Sequence, residues 1–424
     1  MKIKISFLFL VFCCLQSYYA YSQADDLYYS PYSYYGIGDR VQSNSLRNRA
    51  LGSIGIANSS PINIVMDNPA SYADLKQTTF EFSGSFKFSR FIADTTQISR
   101  NHLGFDGINF GFPASKRFTL VMGLNPYTKS GYKVKQISDV LTDTDTIKLI
   151  TIRSGDGGIN FATFGLGVPF FKNKVNLGFN AQYFFGNISR YKETAFLQNN
   201  FRGTLVRNRA NYKGWAYQLG IMYSDSLGKS KYRIGATYQS DIKMNVQPTN
   251  EYFDIIFQTF GVEYVPFDTI EKSKFKYSRP YTIGLGVGMD QFNQFTWGLD
   301  LQYFNGSKLV NNETDVMFQK SFLFRAGLEW VPNFNEDSYW KKVAYRLGGY
   351  FHRSELKLFN QNINQMAVTF GAGFPFRRTL SRLNLFLELG QRGVSSKNLV
   401  KEIYFSSGIG VTFNETWFIK RKLD

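Results

Sequence analysis

Cysteine and histidine are almost missing from this 424-residue chain, with two of each. Both cysteines, Cys13 and Cys14, fall in residues 1–22, which read as a secretory signal. Lys2 and Lys4 give a basic start, Ile5 to Leu15 an apolar stretch of 11 residues, and Ala20-Tyr21-Ser22 a site for a cut before Gln23. The expected mature chain therefore has no cysteine, which excludes disulfides and thiolate metal sites. Long hydrophobic runs are missing too, since nothing after the signal approaches the ~20 apolar residues of a membrane helix. The histidines, His102 and His352, fall at the outer ends of the second and eleventh of the strands counted below, about 30 Å apart around the wall and too far for one site. No Ser-His-Asp set or carboxylate cluster accompanies them, so neither an enzyme nor a cofactor nor a metal is expected. Asp143-Thr144-Asp145 has too few oxygen ligands for a calcium loop, and Gly36-Ile37-Gly38 lacks the strand and helix that flank a phosphate loop.

What is abundant points elsewhere. Phe (42), Tyr (27) and Gly (37) dominate, and aromatics make up 17% of the chain. Export, no membrane helix and this composition fit an outer-membrane β-barrel, with a secreted β-sandwich as the alternative. From Thr78 onward apolar residues alternate with polar ones, as in strands with two unlike faces. Examples are Phe80, Phe82, Phe86 and Phe88, or Leu383, Leu385, Leu387 and Leu389.

Connections of two kinds alternate along the chain. Short turns fall near 113–116, 170–173, 225–230, 290–293, 332–341 and 376–380. Long loops fall near 90–102, 128–156, 187–211, 246–277, 305–319, 353–363 and 391–401. Six short and seven long connections imply 14 antiparallel strands with both termini on the short-turn, periplasmic side. Fourteen tilted strands make a tube about 28 Å across, which would leak unless filled. Residues 23–77 precede the first strand and carry Ile54, Ile56, Ile62, Ile64, Val65 and Met66, too apolar for a free tail. We read the chain as signal 1–22, lumenal plug 23–77, barrel 78–418 and basic tail 419–424.

Asp67-Asn68-Pro69-Ala70-Ser71 resembles the plug motif of the FadL/TodX outer-membrane transport family. Further stretches resemble one branch of that family: Gly123-Leu124-Asn125-Pro126-Tyr127, Gly155-Asp156-Gly157-Gly158-Ile159-Asn160, Glu388-Leu389-Gly390-Gln391-Arg392-Gly393 and Trp417-Phe418-Ile419-Lys420-Arg421-Lys422. The resemblance implies a 14-stranded barrel and passive uptake of hydrophobic, fatty-acid-like molecules: capture at an outer groove, transfer to a lumenal pocket, release through a gap in the wall. It departs at the C-terminus, where Trp417-Phe418 is followed by a basic tail instead of ending the chain.

Four groups of residues are candidates for function. Gly36, Gly38, Asp39, Asn68, Pro69 and Ala70 belong to the plug. In the family the wall opens at a kink in the third strand, and here Gly123, Asn125 and Pro126 occupy that strand; Pro126 either kinks it or ends it at the rim. Tyr252, Phe253, Ile255, Ile256, Phe257 and Phe260 make the fourth long loop unusually apolar, as a ligand groove, a docking surface or a hairpin packed on its neighbours. Arg207, Arg209, Lys274 and Lys276 are candidates for anionic groups, or are solvated charges within a net +17, +15 without Lys2 and Lys4. Expected partners are outer-membrane lipid and lipopolysaccharide, a hydrophobic ligand, and outer-membrane proteins or lipoproteins; nucleic acid is not among them. Two functions fit: uptake of hydrophobic molecules, or a non-transporting subunit or scaffold of a larger outer-membrane complex.

Overall fold

A computed structural model describes residues 30–42, 45–93, 96–115, 117–141, 146–171, 174–196, 202–258, 261–291, 294–306, 316–333, 336, 338–395 and 399–417. The signal, the basic tail, Phe260 and Asp143-Thr144-Asp145 lie outside the described residues. The chain forms a closed, 14-stranded antiparallel barrel. Its strands are β1 (Thr78–Ala93), β2 (Thr96–Ser115), β3 (Phe118–Leu141), β4 (Thr146–Phe170), β5 (Val175–Phe196), β6 (Gly203–Leu227) and β7 (Ser230–Gln239 with Ile242–Gln258). They continue with β8 (Gly261–Glu271, Phe275–Arg279 and Thr282–Gln291), β9 (Phe295–Asn305), β10 (Val316–Phe318 with Lys320–Trp330), β11 (Ala344–Leu358), β12 (Gln361–Pro375), β13 (Arg382–Arg392) and β14 (Lys401–Glu415). Each pairs with the next, and β14 closes the sheet on β1 from Lys401↔Ile92 to Glu415↔Thr78. Closure pairs the first strand with the last, and the edges that remain are those where neighbouring strands part above Ile108 and Leu124.

The period-two rows face outward. On β6, Trp215, Tyr217, Leu219, Ile221 and Tyr223 are exposed, while Ala216, Gln218, Met222 and Ser224 between them are buried. This apolar stretch of nine residues gives a band ~21 Å tall at a ~40° tilt, close to a bilayer's hydrocarbon core. Rings border it at both ends. Tyr183–Trp215, Tyr217–Tyr238 and Tyr238–Tyr281 lie 4.8, 6.3 and 6.2 Å apart on the hairpin side. Tyr223–Tyr232, Trp330–Tyr345 and Phe110–Trp417 lie 6.3, 5.9 and 5.8 Å apart on the turn side.

The six short turns stand where the sequence puts them, but the long loops are mostly strand. β3 and β4 pair without interruption from Gly131↔Asp156 to Leu141↔Thr146, inside a stretch the sequence assigned to a loop. Polar side chains on both faces hide the alternation there, and the two strands of each hairpin satisfy one another's backbone.

Among the described residues, 30–77 precede the barrel; most of residues 30–75 are buried, and Pro61 alone of that stretch is exposed. They hold a 3-10 turn (Pro31–Tyr34), a strand of two residues (Asp39–Arg40), a short helix α1 (Leu46–Ala50) and a second 3-10 turn (Pro69–Asp74).

Candidate functional site

Asn68-Pro69-Ala70 explains its own composition. Asn68 caps the second 3-10 turn by accepting from Ala70 N at 3.0 Å, and its amide donates to Ile56 O at 2.6 Å and Ile221 O at 3.3 Å. Pro69 follows at the first position, where no N–H is needed. The turn rests on two wall glycines: a β-carbon on Gly178 would come within 2.1 Å of Pro69 C, and one on Gly220 within 2.0 Å of Asn68 Oδ1.

Elsewhere residues 30–75 are held by side chains of the wall. Gly55 N and Ile56 N donate to Asp300 at 2.6 and 3.0 Å, Gly52 N to Thr369 at 2.9 Å and Ile64 N to Glu81 at 3.0 Å. Six ion pairs join the same segment to the wall, the loosest of them Asp74 with Lys231 at 3.9 Å. Arg47 meets Glu329 at 2.8 Å, Arg49 meets Asp106 at 2.9 Å and Glu388 at 3.8 Å, Asp67 meets Arg325 at 3.1 Å, and Asp39 meets Arg392 at 2.7 Å. In the five pairs from Arg47, Arg49, Asp67 and Asp39 no side chain is more than 14% exposed.

One seam in the wall is open. β2 and β3 pair only from Ser115↔Phe118 to Ile108↔Leu124, although both strands run on beyond. Two bulges flank the point of separation. On β2, Asp106 is the extra residue between Ser83↔Gly107 and Gly84↔Phe105, and the bulge turns its carboxylate inward to Arg49 and Lys129. On β3, Tyr127 is the extra residue between Pro126↔Asn160 and Thr128↔Ile159. Pro126 therefore does not end its strand; it stands directly beside the bulge. The freed edge of β3 is taken by the N-terminal segment: Asp39↔Lys129 and Arg40↔Thr128 pair antiparallel, with Val41 N to Tyr127 O and Ser30 N to Gly131 O at 3.0 Å each. Gly38 makes the approach feasible, with φ of 90° and a β-carbon position only 2.7 Å from Lys129 O. Gly36, with φ of 64°, turns the chain and accepts from Arg190 at 2.5 Å.

Behind the seam the inner wall is apolar on one flank and charged on the other. Ile159, Phe161, Phe184, Ala210, Tyr212 and Met244 of β4–β7 pack around Ile37 and Tyr127. A cavity of about 90 Å³ adjoins them, and Arg40, Gln42, Asp67, Gln182 and Gln218 also line it. Towards β1 and β14, a cavity of about 70 Å³ is lined by Arg49, Lys87, Asp106, Lys129, Glu388 and Glu402.

A family model described as BamG matches residues 2–424. The chain belongs to the BamG family. No curated protein sequence matches it. Among solved structures it is similar to the Ralstonia pickettii toluene transporter TbuX, at 13% identity and a TM-score of 0.59 over 88% of this chain and 98% of that one. The Pseudomonas putida toluene transporter TodX gives 12% identity and 0.59 over 90% and 100%. A Pseudomonas aeruginosa FadL homologue gives 9% and 0.61 over 89% and 99%. These likenesses fix the fold of the BamG-family chain as that of the hydrophobic-compound transporters, in agreement with the resemblance found in its sequence.

The sequence candidates separate in space. Gly36, Gly38, Asp39, Asn68, Pro69 and Ala70 come together with the inner wall, and Gly123, Asn125 and Pro126 lie at the seam, where Asn125 donates to Asn109 at 2.8 Å. The apolar loop is a hairpin of β7 and β8: Ile255 is 3% exposed, Tyr252 packs on Phe267 at 6.0 Å and Phe253 on Arg207 at 5.0 Å. Phe257 pairs in register with Val262. The exposed apolar residues there are Tyr264, Val265, Phe267 and Ile270, on β8. Arg207 is engaged by Glu251 at 3.0 Å, whereas Arg209, Lys274 and Lys276 are exposed. Sequence reasoning missed Arg47 and Arg49 of α1 and Asp106, Arg325 and Glu329 of the wall; for the last three, charged residues on the inner row of otherwise apolar strands were the available signal.

Proposed function

We propose that this protein is an outer-membrane barrel, with both termini periplasmic, whose lumen is stopped by its N-terminal segment, and that it serves as a non-transporting subunit of a larger outer-membrane protein complex. The five ion pairs between residues 39–67 and the wall carry this reading. Removing one partner of a buried pair costs roughly 3–5 kcal/mol, so a segment tied down five times is a fixture and not a valve. The cavities beside it, about 90 and 70 Å³, fall well under the ~300 Å³ of a typical ligand pocket and bear charged groups. The reading includes no chemical step, cofactor or metal. Partners are outer-membrane proteins or lipoproteins gathered around a rigid barrel. Gentle detergent extraction tests it: stoichiometric protein partners should co-purify, and recovery of a lone barrel carrying a hydrophobic ligand would overturn it.

The open seam favours a second reading, uptake of hydrophobic, fatty-acid-like molecules through a lateral gate at Gly123, Asn125 and Pro126. The apolar wall around Tyr127 is then the inner pocket, and the pairing of Asp39–Arg40 with β3 is the closed state. Gly123→Trp would obstruct such a path, and uptake of a hydrophobic probe should fall while the barrel still folds; unchanged uptake removes the gate.

A further inference from the structure

Above Trp215, the outward row of β6 changes character. The same alternation that presents Trp215, Tyr217 and Leu219 on the outer face presents Lys213, Asn211 and Arg209 as the strand runs on towards the hairpins, all of them exposed. The neighbouring strands follow suit. On β7 the outward exposed residues are Lys243 and Asn245, and on β8 they are Lys276 and Ser278. Register sets their arrangement. Lys213 lies opposite Asn245, which lies opposite Lys276; Trp215 lies opposite Lys243, which lies opposite Ser278; Arg209 lies opposite Thr249.

Strands ~4.8 Å apart put the Lys213 and Lys276 backbones about 10 Å apart, with Lys243 one residue pair nearer the ring belt between them. The residues separating these four cations are neutral: Asn211, Asn245, Ser278 and Gln247. Among the described residues none of the four forms an ion pair, although carboxylates on the same hairpins are taken by other cations, Glu251 by Arg207 at 3.0 Å and Asp254 by Arg202 at 3.4 Å. The nearest acid along the strand, Asp241, makes no ion pair with Lys243. Four unbalanced cations on three adjacent strands repel one another unless an anion sits among them.

The patch also has a defined depth. Tyr183, Trp215, Tyr217, Tyr238 and Tyr281 form the ring belt directly beneath it. Such belts mark the headgroup level of a bilayer, where long basic side chains reach lipid phosphates.

We propose that Arg209, Lys213, Lys243 and Lys276 form a binding site for the phosphate groups of an outer-leaflet glycolipid. The proposal rests on the membrane reading above but not on either account of the lumen. The ammonium groups of Lys213, Lys243 and Lys276 converge on one headgroup, Arg209 offers a two-pronged contact further out, and the acyl chains lie along Trp215, Tyr217 and Leu219.

The test is native mass spectrometry of the detergent-solubilised full-length barrel with added diphosphorylated lipid A, the same lipid after dephosphorylation, or inorganic phosphate. The expected result is retention of the phosphorylated lipid and a drop of about a hundredfold in the variant Lys213→Gln/Lys243→Gln/Lys276→Gln. A variant with Arg at the same three positions should retain it, and so should Lys174→Gln at the opposite rim. Heat-modifiable migration on gels establishes that each variant is folded. Equal binding by the triple Gln variant, equal binding of the dephosphorylated lipid, equal binding of inorganic phosphate alone, or capture of an acidic protein at the patch would each overturn the proposal. Failure of the membrane reading is seen separately, as absence of the chain from the outer-membrane fraction.

Discussion

Arg47 on α1 donates to Glu329 on β10 at 2.8 Å, and the other carboxylate oxygen is held by Arg346 at 2.6 Å. Three charged groups from the segment and two strands thus settle into one arrangement away from water, where each requires the others. Glu329→Gln leaves two guanidinium groups facing a neutral amide. Stability should fall by roughly 3–5 kcal/mol, read as a lower temperature for loss of the compact band on gels. An unshifted band would mean that the segment is held without this pair.

Asn68→Ala removes a cap and two donated bonds at once. The expected loss is ~1–2 kcal/mol, concentrated in the segment and not in the wall. Limited proteolysis should cut residues 30–75 faster while leaving the barrel intact. Equal cutting rates would show that the motif is passive.

Gly178→Val tests the docking of the segment on the wall. The added carbon would sit 2.1 Å from Pro69 C, and the segment must shift. Entry of a hydrophilic dye should rise if this segment fills the lumen. Gly84→Ala, whose β-carbon comes no nearer than 3.4 Å to Gly104 O, is the silent control.

The seam can be locked. Arg40 and Thr128 are Cα partners in an antiparallel ladder, so their α-carbons lie ~4.5–5.5 Å apart, within reach of a disulfide. In a chain whose only cysteines are Cys13 and Cys14, the double variant Arg40→Cys/Thr128→Cys should cross-link cleanly on oxidation. Under the fixed-subunit reading, cells carrying the locked form grow as before. A defect that reductant reverses would show that the segment must move.

Trp215, 65% exposed on the outer face, reports depth. Brominated lipids should quench a fluorescence component that Trp215→Phe abolishes. No quenching in vesicles would place this ring outside the bilayer.

The wall was legible in the sequence because lipid-facing positions such as Leu299, Leu301, Leu387 and Leu389 repeat every second residue against a polar inner row. The hairpins were not, because above the band neither face is uniformly apolar, and the runs from Lys133 to Leu141 and Thr146 to Arg153 read as loop. Asn68-Pro69-Ala70 was legible because cap, proline and small residue are adjacent in the chain. The ties between segment and wall were not, since Arg47 and Glu329 are 282 residues apart and only closure of the sheet brings them together.

The barrel is lopsided. β3, β4 and β6 have 24, 25 and 25 residues, whereas β9 and β13 have 11 each. Since ~9–11 residues suffice to cross a bilayer, the short strands end near its surface and the long ones rise ~35 Å above it. The molecule is thus a half-collar: a palisade over β3–β8 and a low sill over β9–β14. A large neighbour lying flat on the membrane can lean over the sill and not over the palisade, so the barrel admits company from one compass direction and screens it from the other.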